Sequence, residues 1–228
     1  MSVLKSVAVF VLALLVLLAL PFLLSIEAPP SSNLPAQGMP WQIEHLPDGS
    51  TRIFGLIPGR STLEEARRAL AAEPAVALIQ GENDTGSLEA YLDTYAIGAL
   101  TGKMILTLGS TQAEREAMLG RALKGEYMKS TTKRITLAPA DLLAAAQARV
   151  VAVTFIPSAQ LDEQILLERF GSPNERIRNS ENTEHFLYPA LGLDIQLDRK
   201  GRELLQYVSP ADFARLREPL MLNNKPAK

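Results

Sequence analysis

Hydrophobic and polar positions fall into three regimes along the chain. Residues 6–26, SVAVFVLALLVLLALPFLLSI, hold no charged side chain between Lys5 and Glu27. A helix of that length rises about 31 Å at ~1.5 Å per residue, close to the hydrocarbon thickness of a bilayer. No water in that layer can satisfy backbone N–H and C=O groups, so the run predicts one transmembrane helix. Pro21 removes one backbone bond near its far end and predicts at most a kink. Residues 28–40, APPSSNLPAQGMP, carry Pro29, Pro30, Pro35 and Pro40 without apolar periodicity, and read as an extended tether. From there on, short apolar alternations and helical spacings interleave, as expected of a folded region.

Within that region Pro47-Asp48-Gly49-Ser50 predicts a turn, followed by a short strand at Thr51–Phe54. Ser61-Thr62-Leu63-Glu64 reads as a capping box opening a helix at 61–72, with Leu63, Ala66 and Leu70 on one face. Strands are expected at 75–80, 88–97 and 103–108. Thr111-Gln112-Ala113-Glu114 is a second capping box, leading to a helix ending about Leu123. A strand at 132–137 and a short helix at 141–147, introduced by Pro139, complete a middle segment.

Val150–Ile156 (VVAVTFI) is apolar on both parities and predicts a strand buried on both faces. A helix at 158–170 ends at Gly171 and Pro173, and four short strands follow at 175–178, 183–188, 193–198 and 203–208. Leu193, Ile195 and Leu197 alternate with Asp194, Gln196 and Asp198, the pattern of a strand with one face in water. A last helix carries Phe213 and Leu216 and is expected to stop at Pro219, with 219–228 as a tail.

The organisation expected is therefore a cytoplasmic N-terminus (1–5), a transmembrane signal anchor (6–26) and a Pro-rich tether (27–41). A first helix-and-meander unit (42–109), a connecting helical segment (110–150), a second unit (151–218) and the tail (219–228) follow. The fold class expected is α+β: an N-terminal transmembrane helix, then antiparallel β-meanders with helices packed on one face. Phe54-Gly55-Leu56-Ile57-Pro58 and Phe155-Ile156-Pro157 open the two units in the same order, which hints at a duplication.

Charge fixes the expected orientation. Lys5 and the amino terminus precede the apolar run, Glu27 follows it, and no Lys or Arg recurs before Arg52. The positive-inside bias predicts an N-terminus in the cytoplasm and residues 27–228 across the inner membrane, in the periplasm. A cleaved signal peptide is the rival reading. Its apolar core would span ~7–15 residues and end at a small-x-small site. The run is longer, and Ile26-Glu27-Ala28 begins with a large residue, so retention is expected.

Composition narrows the function. Lys and Arg number 23 against 25 Asp and Glu, which leaves no basic footprint for nucleic acid. The absence of Cys excludes disulfides, thiolate metal ligands, a Cys nucleophile and lipoprotein processing. Gly98-Ala99-Leu100-Thr101-Gly102-Lys103-Met104 approaches a phosphate-binding loop, but it is one residue short and puts Met104 where the magnesium-binding hydroxyl belongs. His45 and His185 are the two His residues. Glu184 neighbours His185, but adjacent strand residues point to opposite faces and make no dyad. Asp194, Asp198 and Glu203 suggest oxygen ligands for calcium. The two Asp residues, about 13 Å apart along one strand face at ~3.3 Å per residue, are too distant to share an ion. No residue is assigned a catalytic, cofactor-binding or metal-binding role, and no cofactor is expected.

The stretch LDEQILLERFGSPNERI, then EHFLYPALGLDIQLD, a Gly turn and ELLQYV, resembles the SmpA/OmlA family, which includes the outer-membrane assembly lipoprotein BamE. Phe170-Gly171-Ser172-Pro173 matches the family's helix-ending turn, and Gly59-Arg60-Ser61-Thr62 its helix start. The resemblance implies a tandem fold like that of β-lactamase-inhibitor protein, and a binding or scaffolding role in a Gram-negative envelope. The chain departs from the family in lacking a lipidated Cys. Together these readings predict a non-enzymatic, inner-membrane-anchored periplasmic protein-binding module. Its partners would be the membrane, through residues 6–26, and another envelope protein. A lipid or apolar-ligand carrier and a carboxylate-dependent envelope hydrolase are the alternatives.

Overall fold

Alternating apolar residues build the sheet that dominates the chain. A computed structural model describes residues 38–82, 86–128 and 131–223. The anchor expected at 6–26 and most of the tether lie outside these residues. Among these residues twelve strands are formed: β1 (Glu44–His45), β2 (Thr51–Arg52), β3 (Ala75–Gln80), β4 (Ser87–Ile97), β5 (Leu100–Leu108), β6 (Lys124–Tyr127), β7 (Lys133–Thr136), β8 (Val150–Pro157), β9 (Glu175–Arg178), β10 (Thr183–Tyr188), β11 (Leu193–Asp198) and β12 (Leu204–Val208). β1 and β2 make a small hairpin. The other ten form one antiparallel sheet in the order β6-β7-β3-β4-β5-β8-β12-β11-β10-β9.

This corrects the expected α+β class with its repeated helix-and-meander units. The protein is mostly one large antiparallel sheet with few helices, and among the described residues no helix is long and apolar enough to cross a membrane. The physical reason lies at the centre. β5 pairs with β8 from Gly102 opposite Pro157 to Leu108 opposite Val150, and joins the two meanders. Gly102 permits that approach. A Cβ there would lie 2.5 Å from the Ile156 carbonyl oxygen and 2.6 Å from the Phe155 ring. The segment 110–150, named a connecting helical segment, supplies the strand expected at 132–137 as β7 and adds β6 beyond it, and the two extend the sheet past β3.

Five helices are described: α1 (Leu63–Leu70), α2 (Gln112–Gly120), α3 (Pro139–Gln147), α4 (Glu163–Phe170) and α5 (Ala214–Asn223). α1 starts one residue later than its Ser61 box predicts. Thr62 is the cap, its hydroxyl accepting the Glu65 N–H at 3.2 Å while the Glu65 carboxylate accepts the Thr62 N–H at 2.8 Å. Ser61 is drawn away, because its hydroxyl accepts the Ile57 N–H and its carbonyl accepts the Val150 N–H of β8. The Thr111–Glu114 box of α2 forms as read. α4 begins at its Asp162 cap rather than at Ser158.

One face of the sheet carries the main core. Leu78, Leu88, Met104, Leu106, Val153, Phe155, Leu205, Tyr207, Ile195 and Phe186 point there, against Leu63, Ala66 and Leu70 of α1 and Leu166 of α4. The strap 38–62 crosses the same core. Phe54 turns in with φ +53° and packs between Tyr95, Phe155 and Tyr207. That turn ends the strand expected at 51–54 after two residues. The fully buried Tyr207 hydroxyl donates to the Pro40 carbonyl at 2.8 Å, and Arg169 lies over the Trp41 ring. Pro40, the last proline of the tether, and Trp41 just after it therefore pack on the folded region. Burial without a charge partner raises Tyr207 well above the ordinary phenol value.

Candidate protein-binding face

Opposite residues in neighbouring antiparallel strands share a face, so the registers define the second face row by row. One row runs Glu175, Leu187, Asp194, Gln206, Thr154, Ile105, Tyr91, Ala75 from β9 to β3. The two ends of this row meet different neighbours. At the β9–β12 end, α5 lies on the sheet. Its Leu220 joins Phe213, from the short turn before the helix, and Ala152, Ile177, Leu187 and Val208 in a second apolar cluster, with Leu216 against it. Arg217 of α5 clamps Glu175 through two bonds, 2.7 and 3.2 Å. α5 runs on through Pro219, past the stop expected there, because Leu220 gains burial on the sheet.

At the β3–β5 end no helix among the described residues joins that cluster. Ile79, Tyr91 and Ile105 are only half-buried, and with Met128 they line a shallow groove of about 180 Å³. Charges of both signs ring it. Lys103 reaches Asp93 at 3.3 Å across the β-bulge that follows Leu92. Arg134 lies over the Tyr91 ring at 4.8 Å from its centroid. Ser87 donates to Glu89 at 2.5 Å. Glu126 and Arg134 share this face at the far end, and the Lys124 ammonium holds the Glu126 carboxyl below its ordinary value. Half-buried aliphatic and aromatic groups with a charged rim are the composition of a protein-binding patch.

The residues singled out from sequence are distributed otherwise. His185 does have a carboxylate partner, but it is Asp194: Nδ1 lies 3.0 and 2.9 Å from the two carboxylate oxygens. The β10–β11 register places them diagonally on one face, and both are buried. Asp194 thus departs from the water-facing role read from alternation. Asp198 instead accepts the Lys200 N–H in its turn, and Glu203, fully buried, accepts the Leu161 N–H at 3.1 Å. No hydrogen bond joins the three carboxylates, and among the described residues no cluster of three or more His, Cys, Asp or Glu is placed to hold a metal. His45 is exposed on β1. Gly98 and Ala99, with Gly98 at φ +56°, make the two-residue turn between β4 and β5, so the loop resembling a phosphate site is a hairpin.

A small cavity of about 330 Å³ opens beside the strap, lined by Gln42, Glu44, Arg52, Phe54 and Tyr95 among others. Arg52 and Glu44 pair at 2.5 Å across it, and burial raises Tyr95 above the ordinary phenol value. No acid–base pair stands free in it.

The groove residues were not singled out from sequence. The signal lay in Lys103, Ile105 and Thr107, which alternate with Met104, Leu106 and Leu108: one wholly apolar parity, and one polar parity interrupted by an isoleucine. Compared with protein-family models, curated proteins and solved structures, the chain matches none.

Proposed function

We propose that this chain is a protein-binding module of a Gram-negative cell envelope. Residues 6–26 hold it in the inner membrane, and the face bearing Ile79, Tyr91 and Ile105 takes up the partner. The observation that carries the binding face is its half-buried apolar groove, open where α5 closes the same face elsewhere. The charge pattern before and after residues 6–26 and the proline-rich stretch behind them support the anchored, periplasmic placement. The resemblance of residues 151–218 to the SmpA/OmlA family supports an envelope role. A partner with an aliphatic or aromatic knob and charges of both signs would complement Lys103, Asp93, Glu89 and Arg134.

Cross-linking full-length protein in cells, followed by purification in mild detergent, tests the reading. Wild-type protein is expected to bring down one stoichiometric envelope partner. Ile105→Asp should lose it, while Leu143→Asp, on the exposed side of α3, keeps it. Equal recovery with both variants, or no partner with wild type, overturns the proposal.

A further inference from the structure

The two edges of the ten-stranded sheet are unlike. β9 is guarded: Arg176 and Arg178 project from it, Arg176 covers the Phe186 ring, and Arg217 of α5 holds Glu175. Such charges discourage strand addition. β6, at the other end, is exposed at all four positions and is flanked by apolar side chains on show. Leu123 is 65 % exposed, Tyr127 71 % and Met128 42 %.

The hydrogen-bond direction of β6 follows from its neighbours. Met128 donates to the Thr132 carbonyl of the hairpin, so Lys124 and Glu126 within β6 bond to β7; Leu123, just before β6, also donates inward, to the Thr136 carbonyl. Backbone groups alternate sides along a strand, and Gly125 and Tyr127 therefore turn their N–H and C=O outward, unpaired by β7.

We propose that β6 pairs antiparallel with β6 of a second copy of this chain, about a two-fold axis at Gly125. Two observations select that register. Gly125 carries outward backbone groups and no side chain, so two copies can exchange both bonds at the axis. Lys124 then stands opposite the partner copy's Glu126 and Glu126 opposite its Lys124, on one face. An axis at Lys124 or at Glu126 would oppose like charges and would need backbone groups that β7 already uses. A two-fold contact must be self-complementary, and among these axes only the Gly125 register makes KGEY so. The contact is short, so it forms a weak dimer, strengthened where copies share a surface.

The chain has no Cys, so a single introduced thiol reports the contact in the full-length protein. Gly125→Cys places the two sulfurs across the axis, at a Cα separation of ~5.5 Å that a disulfide spans. Under mild oxidation a covalent homodimer is expected in good yield, well above that from Leu143→Cys, which is 76 % exposed and serves as the collision control. Adding Lys124→Glu should lower the yield about tenfold, because two attractive pairs become repulsive. Adding Glu126→Lys as well should restore it. That rescue separates a charge effect from misfolding. A yield no higher than the control, failure of the double exchange to rescue, or a Gly125→Cys adduct with a different protein would each overturn the proposal.

Discussion

The two halves of the sheet treat their second face in opposite ways. From β8 to β9, α5 and the turn before it press Phe213, Leu216 and Leu220 onto Ala152, Ile177, Leu187 and Val208. From β3 to β5 the same face keeps Ile79, Tyr91 and Ile105 half-exposed among ions. The first face carries the main core under both halves. The difference teaches that closure here is local. One ten-residue helix decides which part of a continuous sheet is core and which part is available.

The largest expected effect comes from cutting the same kind of side chain on the two sides. Leu187→Ala should cost about 2–5 kcal/mol in urea unfolding, as for a fully buried leucine, whereas Ile105→Ala should cost under about 1 kcal/mol. Equal costs would break the comparison, since they would mean that something closes both halves.

The seam between the halves comes next. Gly102→Ala would drive a methyl against the Ile156 carbonyl and the Phe155 ring, and should cost about 1–3 kcal/mol by thermal or urea unfolding. Gly120→Ala, with open space around it, is the neutral control. Tyr207→Phe would strand the Pro40 carbonyl in the core, and should cost a similar ~1–3 kcal/mol while leaving the partner groove intact.

The smallest effect is electrostatic and belongs to exposed caps. Ser50, through its hydroxyl and N–H, and the Arg60 guanidinium hold the Asp48 carboxyl well below its ordinary value of 3.8. The Thr111 N–H and hydroxyl hold Glu114 below 4.5. Both folded-state values are depressed, so the contribution is complete above the ordinary values and drains away as pH falls through the depressed ones. The urea midpoint should therefore drop on acidification below about pH 4.5, and drop less in Asp48→Asn.

Much of the sheet was legible because alternation is local. The strands at 75–80, 88–97 and 150–156 stand close to where β3, β4 and β8 form. β6 was not legible: Lys124-Gly125-Glu126-Tyr127 has no buried parity, and edge pairing alone makes it a strand. The fusion into one sheet depends on β5 meeting β8, a contact between residues far apart in sequence. The His185–Asp194 pair spans only nine residues, but it appears only once the β10–β11 register is known. The candidate face was half legible. Its strands could be drawn, but its openness depends on where α5 lands, and Pro219 argued for a shorter helix than the one that covers Leu187.

The central claim is that the uncovered end of this face receives a partner protein. A photo-cross-linking residue placed at Tyr91, and separately at Met221 on the exposed side of α5, tests it most directly in cells carrying the full-length chain. The account predicts a discrete adduct with another envelope protein from Tyr91 and none from Met221. Adducts from Met221 alone, or from neither position, would contradict it.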